Sequence, residues 1–213
     1  MKKRLLLLVS SLFLLVVLAG CQTTPTDNAA EEEVIKDDDT KEEVEFVVES
    51  NDSFVITYGI ENMDRGNHDF NNDHQVVIEK TNEVQRGDII YFKYPEDDGL
   101  PKYNPDNYLA RVVGLAGETV EIRDGQVYIN NQKLETFYAE SRRLGINKEE
   151  WFKASTTSPL KEADFEVNIE SIKVPETAVF VLSDDWFRSA SSIDFGPIEI
   201  SQIKGKVFGY LNK

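Results

Sequence analysis

The chain has 213 residues, of which 40% are hydrophobic, and a formal net charge of −16. This length and apolar content are sufficient for one domain with a hydrophobic core after the two ends are subtracted. The acidic balance argues against nucleic acid, whose phosphates require lysine and arginine, and against electrostatic docking on anionic lipid.

A targeting segment opens the chain. Three cations at positions 2–4 precede an apolar run over residues 5–17, and the sequence L-A-G-C then ends at Cys21. This pattern resembles the lipobox of bacterial lipoproteins, in which the cysteine is acylated and the preceding peptide is removed. The resemblance implies a signal peptide over residues 1–20 and lipid attachment at Cys21. The protein would then lie on the outer face of a bacterial plasma membrane, held there by lipid chains.

An uncleaved membrane anchor is the alternative interpretation of the same segment. Even when it is extended to residue 20, the run has 16 positions, which falls short of the ~20 that a spanning helix needs. Removal of residues 1–20 takes away three cations and no carboxylates, so the net charge changes from −16 to −19. Cys21 is the sole cysteine of the chain, which excludes a disulfide framework. One cysteine and two histidines predict neither a metal site nor a cofactor.

Residues 21–44 are polar and strongly acidic, and they contain no aromatic residue. Such a segment buries too little apolar surface to offset the entropy of ordering, and its like charges repel one another. We therefore predict a disordered linker over residues 21–44 and a folded domain over residues 45–213. A functional acidic binding tail is the alternative interpretation of the linker.

Short apolar or alternating runs follow the linker. Runs of this kind are typical of strands, and the glycine, proline, asparagine and aspartate between them are typical of turns. The runs lie in residues 45–59, Gln75–Lys80, Gln85–Lys93, Ala178–Ser183 and Ile203–Leu211. Residues 61–73 and 96–107 are polar and rich in turn residues. The pattern predicts a β core.

The segment Tyr108–Leu134 is the centre of this β core. Its apolar residues alternate on both sides of Asp124-Gly125, a dipeptide that favours a type I′ turn, in which both central residues have positive φ. Asn130-Asn131 has the same chemistry. We therefore predict a strand, a glycine-containing corner and a tight hairpin. Residues 136–174 show no clear strand, and Asn147 is predicted to cap a short helix.

The central segment resembles a strand of the bacterial type I signal peptidases, which reads K-R-V-[IV]-G-L-P-G-D and is followed by x-V, a turn and x-Y-I-N-G. Ten residues match in register: Arg111, Val112, Val113, Gly114, Leu115, Gly117, Val120, Tyr128, Ile129 and Asn130. Val77–Lys80 and Arg86–Phe92 match the family's V-x-K and R-G-D-I-V-x-F strands. The resemblance covers about residues 53–213. It implies a mainly β fold, with a signal-peptidase-like antiparallel β-sheet core and a variable insertion over residues 136–174.

Two positions that carry the family's chemistry depart from its pattern. In the family, the serine of G-x-S-M-x-P-T attacks the peptide bond after a neutral lysine takes its proton. In this register Asn62 stands at the serine position and Met63 matches the methionine that follows it. Ala110 stands at the lysine position. An asparagine amide is a poor nucleophile, and alanine cannot accept a proton. Loss of both residues removes the mechanism rather than slowing it.

The family's final motif, G-D-N-R-x-x-S-x-D-S-R-x-x-G-x-[VI], is retained in part. Five places match: Asp184, Ser189, Ser192, Gly196 and Ile198. Replacements occupy the places of the first glycine, the second aspartate and the second arginine: Ser183, Ser191 and Ile193. In the family this aspartate and arginine support the catalytic pocket. Their absence fits a relaxed demand on that pocket.

The resemblance implies a lipid-anchored, catalytically inactive relative that binds without cutting. The family's groove takes an extended peptide along a strand edge. Extended peptides, or an exported or membrane protein, are therefore the expected partners. Four residues are candidates for the groove: Met63, Arg111, Asp184 and Ser189. Trp186 and Phe187 are candidate contact residues; an ion pair with a carboxylate is the alternative role of Arg111, and core packing that of Phe187.

An active serine endopeptidase that removes signal peptides from exported proteins is the alternative function. Ser53 or Thr57 would be its nucleophile and Lys80 its base. Some relatives use histidine in place of the lysine, but His68 and His74 lie upstream in a polar loop, where exposed surface is the expected place for both. A purely structural accessory of a surface complex is a third possibility.

Overall fold

The computed structural model describes residues 33–70, 74–95, 106–154, 157–188 and 190–212. Four of the features predicted above lie wholly or mostly outside these residues: the signal peptide, Cys21 with the linker up to residue 32, the loop over residues 96–107, and Ser189. Within the described residues, no helix is long and apolar enough to cross a membrane.

Strands dominate the described residues. In chain order they are β1 (Val34–Lys36), β2 (Phe46–Val47), β3 (Ser53–Thr57), β4 (Gln75–Glu79), β5 (Ile89–Lys93), β6 (Asn107–Gly114), β7 (Thr119–Arg123), β8 (Gln126–Ile129), β9 (Gln132–Glu135), β10 (Arg142–Arg143), β11 (Ile146–Asn147), β12 (Ile169–Lys173), β13 (Ala178–Leu182), β14 (Ile198–Glu199) and β15 (Ile203–Leu211). Three short α-helices accompany them: α1 (Lys148–Ala154), α2 (Glu162–Phe165) and α3 (Ser192–Phe195). Two 3₁₀ turns span Glu61–Met63 and Ile200–Gln202. The predicted mainly β fold is confirmed.

The strands form two larger sheets and a small ribbon. The first sheet has the order β14-β13-β6-β5-β15-β4-β3, and β2 adds to β15. The second has the order β1-β9-β8-β7-β12, and β10 pairs with β11. The pairings among the described strands are antiparallel except for two, β1 with β9 and β2 with β15, which are parallel.

Strand β6 is buried on both faces, which explains why the sequence around it is so apolar. Because successive side chains of a strand point to opposite faces, its residues contribute to different clusters. Ala110 packs with Ile90 and Val181 in one apolar cluster. Leu109 belongs to a second cluster and Val113 to a third, which lies against the smaller sheet. The strand therefore joins the hydrophobic cores of both sheets.

The local turn and cap predictions are confirmed. Asp124 and Gly125 have φ values of 47° and 80°, and Asn130-Asn131 also has positive φ at both residues, 51° and 66°. These pairs join β7 to β8 and β8 to β9. Asn147 Oδ1 accepts from the Glu150 backbone N–H at 3.0 Å, and Asn147 N–H donates to Glu150 Oε2 at 3.0 Å. This reciprocal pair is a capping box at the start of α1.

The structure differs from the sequence prediction in the insertion. Strand β12, Ile169–Lys173, pairs with β7 where no clear strand was expected. Its sequence, I-E-S-I-K, has two adjacent polar residues in the middle, and none of the five is fully buried. The alternation that identifies a half-buried strand is therefore interrupted. Backbone pairing with β7, at an edge of the smaller sheet, determines its conformation instead.

The structure also differs at the start of the domain. Residues 33–44 were expected to be part of a free linker, yet β1 pairs with β9 and the chain continues across the domain to β2. The acidic composition is compatible with this path because side chains of the segment stay exposed while its backbone forms hydrogen bonds. We call residues 33–47 the strap.

Candidate functional site

Asn62, at the position of the expected nucleophile, lies in the 3₁₀ turn after β3 and is completely buried. Its side-chain amide donates to the Leu109 carbonyl at 2.8 Å and to Ser183 Oγ at 3.2 Å. Its Oδ1 accepts from the Tyr58 hydroxyl at 2.8 Å. The side chain is therefore held by three hydrogen bonds, and its polar atoms are committed to the fold.

The same network covers an edge of β6. Strand β13 pairs with β6 only from Arg111 onward, so Leu109 has no strand partner on that side. Tyr58 fills the gap: its hydroxyl accepts from the Leu109 backbone N–H at 3.1 Å, while Asn62 binds the Leu109 carbonyl. A peptide that adds a strand at an edge must bind free backbone groups of this kind. At Leu109 both groups are already bound.

Ala110, at the position of the expected base, is also completely buried. It faces Ile90 across the β5–β6 ladder and belongs to the cluster that includes Phe92 and Val181. Ile60 also packs against this cluster. The methyl group cannot accept or release a proton, and its surroundings are apolar. A lysine placed here would have its pKa lowered by desolvation.

A buried ion pair lies beside these positions: Arg111 follows Ala110 on β6, and Asp184 follows Ser183, which accepts a hydrogen bond from Asn62. Arg111 Nε and Nη2 donate to the two carboxylate oxygens of Asp184, at 2.7 and 2.5 Å, and Nη1 donates to the Gly87 carbonyl at 2.8 Å. The exposed fraction is 3% for Arg111 and 4% for Asp184. A fork-to-fork pair of this geometry fixes both partners, because the rigid guanidinium binds both oxygens at once.

Two guanidinium groups also pack on one aromatic ring. The Arg111 and Arg65 Cζ atoms lie 5.0 and 4.9 Å from the centroid of the Phe137 ring. Arg65 also lies 3.7 Å from Asp184 and donates to Asp69 at 3.0 Å. A cation over a ring face is attracted by the ring quadrupole. This cluster therefore connects the loop after Asn62, β6 and the insertion.

Asp185 attaches the insertion to the same turn. Its Oδ2 accepts from Arg143 Nη1 at 2.6 Å and from the Leu144 backbone N–H at 3.3 Å, and its backbone N–H donates to the Asn62 carbonyl at 2.9 Å. Burial raises the pKa of this carboxyl above its ordinary value, and the hydrogen bonds and Arg143 offset only part of the effect. Asp185 is therefore a buried carboxylate whose partners hold the insertion beside the Asn62 turn.

Comparison with known proteins identifies the family. The model of the family described as signal peptidase, peptidase S26 matches residues 44–211. The chain belongs to the signal peptidase family. The match covers more than half of the chain, and both Asn62 and Ala110 lie inside the matched residues.

Relatives and a solved structure are similar to different extents of the chain. Signal peptidase I V of Bacillus subtilis is 26% identical over 169 residues, which cover 77% of this chain and 90% of that protein. Signal peptidase I of Bacillus licheniformis is 30% identical over 131 residues, 61% of this chain and 60% of that protein. The crystal structure of a signal peptidase I from Enterococcus faecalis V583 is 30% identical, covers 58% of this chain and 96% of that chain, and has a TM-score of 0.42.

The predicted groove residues need correction within this signal peptidase fold. Met63 is completely buried in the cluster that contains Leu109, and Arg111 and Asp184 bind one another inside the fold. These three residues therefore do not form an open groove wall in this conformation. All three match family motifs, and such motifs contain residues that pack as well as residues that bind. Ser189 lies outside the described residues.

The two aromatic candidates are half-buried. The Phe187 ring packs on Phe165 with centroids 4.6 Å apart, which agrees with the core-packing alternative. Trp186 packs against the cluster of the smaller sheet. Near them, Ser192 Oγ accepts from the Val181 backbone N–H at 2.9 Å, and Ser191 caps α3 with its Oγ 3.3 Å from the Ile193 backbone N. Both serines thus have structural partners.

The residues of the alternative dyad have other surroundings. The Ser53 hydroxyl donates to the Ser50 carbonyl at 3.0 Å and accepts from the Ser50 backbone N–H at 2.8 Å, so it stabilises the turn before β3. Thr57 and Lys80 are exposed. Within the described residues, no group of three or more His, Cys, Asp or Glu residues is arranged to bind a metal ion.

Sequence reasoning missed three residues of the site: Tyr58, Arg65 and Phe137. Tyr58 and Arg65 flank the Asn62 turn, and Phe137 follows β9 in the insertion. The sequence of such a short turn does not indicate which distant backbone groups its side chains contact. A pairing of arginine with Phe137 has no local signal either, because the partners are about 70 residues apart in sequence for Arg65 and about 25 for Arg111.

Proposed function

We propose that this member of the signal peptidase family is catalytically inactive and acts as a lipid-anchored binding protein on the outer face of a bacterial plasma membrane. Its ligands would be extended segments of exported or membrane proteins. The observation that carries the proposal is the environment of Asn62 and Ala110. Three hydrogen bonds hold Asn62 in place, and apolar side chains surround Ala110.

The chemistry at these two positions supports the loss of catalysis. A serine nucleophile needs a base within hydrogen-bond reach. The polar contacts of Asn62 are with Tyr58, Ser183 and the Leu109 carbonyl. None of these groups accepts a hydroxyl proton at neutral pH as an unprotonated lysine does. Neither the nucleophile nor the base is present at its family position.

The strand pairing supports a binding role. Two local edges of the domain, the outer side of β9 and the end of β15 beyond its pairing with β5, hold an extended segment of the same chain through parallel backbone hydrogen bonds. Addition of a strand at an edge is a general way to bind peptides, with backbone groups providing affinity and alternate side chains providing specificity. The fold therefore has edges of the type that a non-cutting peptide-binding protein requires.

Binding is tested with the full chain in detergent and a fluorescently labelled signal-peptide segment. We expect saturable fluorescence anisotropy with recovery of the intact peptide. Absence of saturable binding would contradict the proposal. The Asn62→Ser/Ala110→Lys variant provides a second readout, since cleavage gained by this variant would show that the peptide lies across the two family positions.

Lipid anchoring is tested separately at Cys21. In cells supplied with a clickable fatty acid, the wild-type chain is expected to be labelled and to sediment with membranes. Cys21→Ser is expected to lose the label. Equal labelling of both proteins would contradict attachment at Cys21, and labelling of neither would contradict lipidation.

A further inference from the structure

The strap is held on the domain mainly through its backbone. The Lys133 N–H donates to the Glu33 carbonyl at 2.9 Å at one end, and the Asn212 N–H donates to the Val47 carbonyl at 2.8 Å at the other. In between, the Tyr138 hydroxyl donates to Asp37, and Arg65 donates to the Glu42 carbonyl. The strap thus spans from an edge of the smaller sheet to an edge of the larger one.

Very little of the strap is buried. None of its fifteen residues is classed as buried, and Phe46 is 61% exposed. Segments with few buried apolar contacts and solvent-accessible hydrogen bonds open locally at a small fraction of the global unfolding free energy. The strap therefore has the properties of a segment that detaches while the rest of the domain stays folded.

The surface under the strap is shaped to receive it. Gly209 has no side chain where the strap crosses β15, and a Cβ added there would clash with the Glu45 carbonyl and lie 2.8 and 2.9 Å from the two methyl groups of Val47. All three nearest atoms belong to the strap. At Gly87, an added Cβ would lie 2.9 Å from Thr40 Cβ. The domain thus has a shelf that fits an extended chain closely.

Acidic side chains of the strap have polar partners along the same path, because Glu33 accepts from Gln132 Nε2 at 2.8 Å and Asp37 accepts from the Tyr138 hydroxyl. The strap has seven carboxylates and two lysines. Its carboxylates line two clefts, of about 520 and 220 Å³, that it shares with the domain. Asp37, Glu43 and Glu45 line the first with Arg86, which also pairs with Glu118 of the domain, and with Asp88. The second contains Glu42 and Glu43 of the strap together with Arg65 and Arg142 of the domain.

We propose that this path, from the β9 edge over Gly87 to the β15 edge, is a binding site for an acidic extended segment of a partner protein, and that the strap occupies it in cis. Release of the strap would free the β9 and β15 edges and the arginine-lined clefts together. This site differs from the Asn62–Ala110 position, and the inference does not depend on the loss of catalysis.

The test uses the full chain and a labelled synthetic peptide with the strap sequence, EVIKDDDTKEEVEFV. Two variants release the strap from different sides: Gly209→Ala adds the clashing methyl group on the domain, and Val47→Asp puts a charge on the strap. Val48→Asp is the matched control, because Val48 is 74% exposed and lies just outside the strap. Circular dichroism and thermal unfolding verify that each variant is folded.

In hydrogen exchange, the amides of Lys133, Tyr210 and Asn212, which donate to strap carbonyls, are expected to exchange about tenfold faster in both release variants than in the control. The peptide at roughly 10–50 μM is expected to bind both release variants and neither the wild type nor the control, since the tethered strap has an effective concentration on the order of millimolar. A scrambled peptide of the same composition is expected to bind none of them.

Three results would overturn the proposal. Unchanged exchange in both release variants would show that the strap does not depend on this shelf. Faster exchange without peptide binding would show that the vacated path is not a binding site. Equal binding of the strap peptide to the wild type and to the release variants would place the peptide on another surface.

Discussion

Two neighbouring regions of the domain differ in what they keep of the signal peptidase pattern. At Asn62 and Ala110, which we align with the family's nucleophile and base, the side chains are a hydrogen-bonded amide and a methyl group. Next to Ala110 on β6, Arg111 matches the family motif and forms a buried bidentate pair with Asp184, a second motif residue just after β13. Motif residues that hold the fold together persist beside positions whose side chains depart from the motif. A match to a family motif is therefore evidence for a shared architecture, and evidence for catalysis has to come from the catalytic positions themselves.

The largest expected effect comes from breaking the retained pair. Asp184→Ala leaves the Arg111 guanidinium buried without its carboxylate, and we expect a loss of about 3–5 kcal/mol in the free energy of unfolding. Urea denaturation measures it. Lys153→Ala is the control, because it breaks an exposed pair with Glu149 and is expected to cause no measurable change. A loss as small as that of the control would show that the Arg111–Asp184 pair does not stabilise the folded domain.

A somewhat smaller effect is expected at the nucleophile position. Asn62→Ala leaves the Leu109 carbonyl and the Tyr58 hydroxyl without their partner in a buried place, which should lower the free energy of unfolding by about 2–3 kcal/mol. Hydrogen exchange at the Leu109 amide, which donates to Tyr58, should accelerate at the same time. If Asn62→Ala is as stable as the wild type, the three hydrogen bonds do not hold this turn in solution.

The aromatic ring between the two arginines is expected to matter less. Phe137→Leu keeps most of the apolar contact but removes the ring under Arg65 and Arg111, with an expected loss of about 1 kcal/mol. Tyr128→Leu is the matched control, because Arg123 lies over that ring on a much more exposed surface. Thermal unfolding of both variants should show the greater loss for Phe137→Leu; equal losses would contradict a special role of the buried ring.

The smallest expected effect depends on pH. Burial raises the pKa of Asp185, so the folded state binds its proton more tightly than the unfolded state does. The contribution of this group to stability is present below the unfolded pKa and is lost as pH rises through the folded pKa. The wild type should therefore lose stability relative to Asp185→Asn as pH rises through the folded pKa, so the difference between the two proteins changes with pH. Chemical denaturation at several pH values measures this, and a difference independent of pH would contradict the assignment.

The sequence predicted the β core well because its signals are local. Asp124-Gly125 determines a hairpin through positive φ at both residues, and the apolar run of β6 identifies a strand buried on two faces. The same kind of reasoning failed at β1 and β12. Both are short strands at the edges of the smaller sheet, β1 within an acidic segment and β12 with two polar residues in its middle, so backbone pairing with β9 and β7 determines their conformation rather than side-chain alternation.

The candidate site was predicted in part. The assignment of Asn62 and Ala110 to the nucleophile and base positions rests on motif spacing and stays a prediction, while both residues lie within the matched family region. The hydrogen bonds of Asn62 were not predictable, because Leu109 and Ser183 are 47 and 121 residues away in sequence. The groove assignment failed for Met63 because a motif does not tell whether its apolar residue faces the core or a ligand, and here it faces the core.

The most direct test of the central claim is a search for cleavage by the wild-type chain. A signal-peptide substrate is incubated with an equimolar amount of the full chain in detergent, and its mass is followed by mass spectrometry beside the Ser53→Ala variant. If the protein is inactive, the substrate stays intact with both the wild type and Ser53→Ala. Specific cleavage by the wild type that disappears in Ser53→Ala would contradict the account and would make Ser53, with Lys80, the catalytic pair.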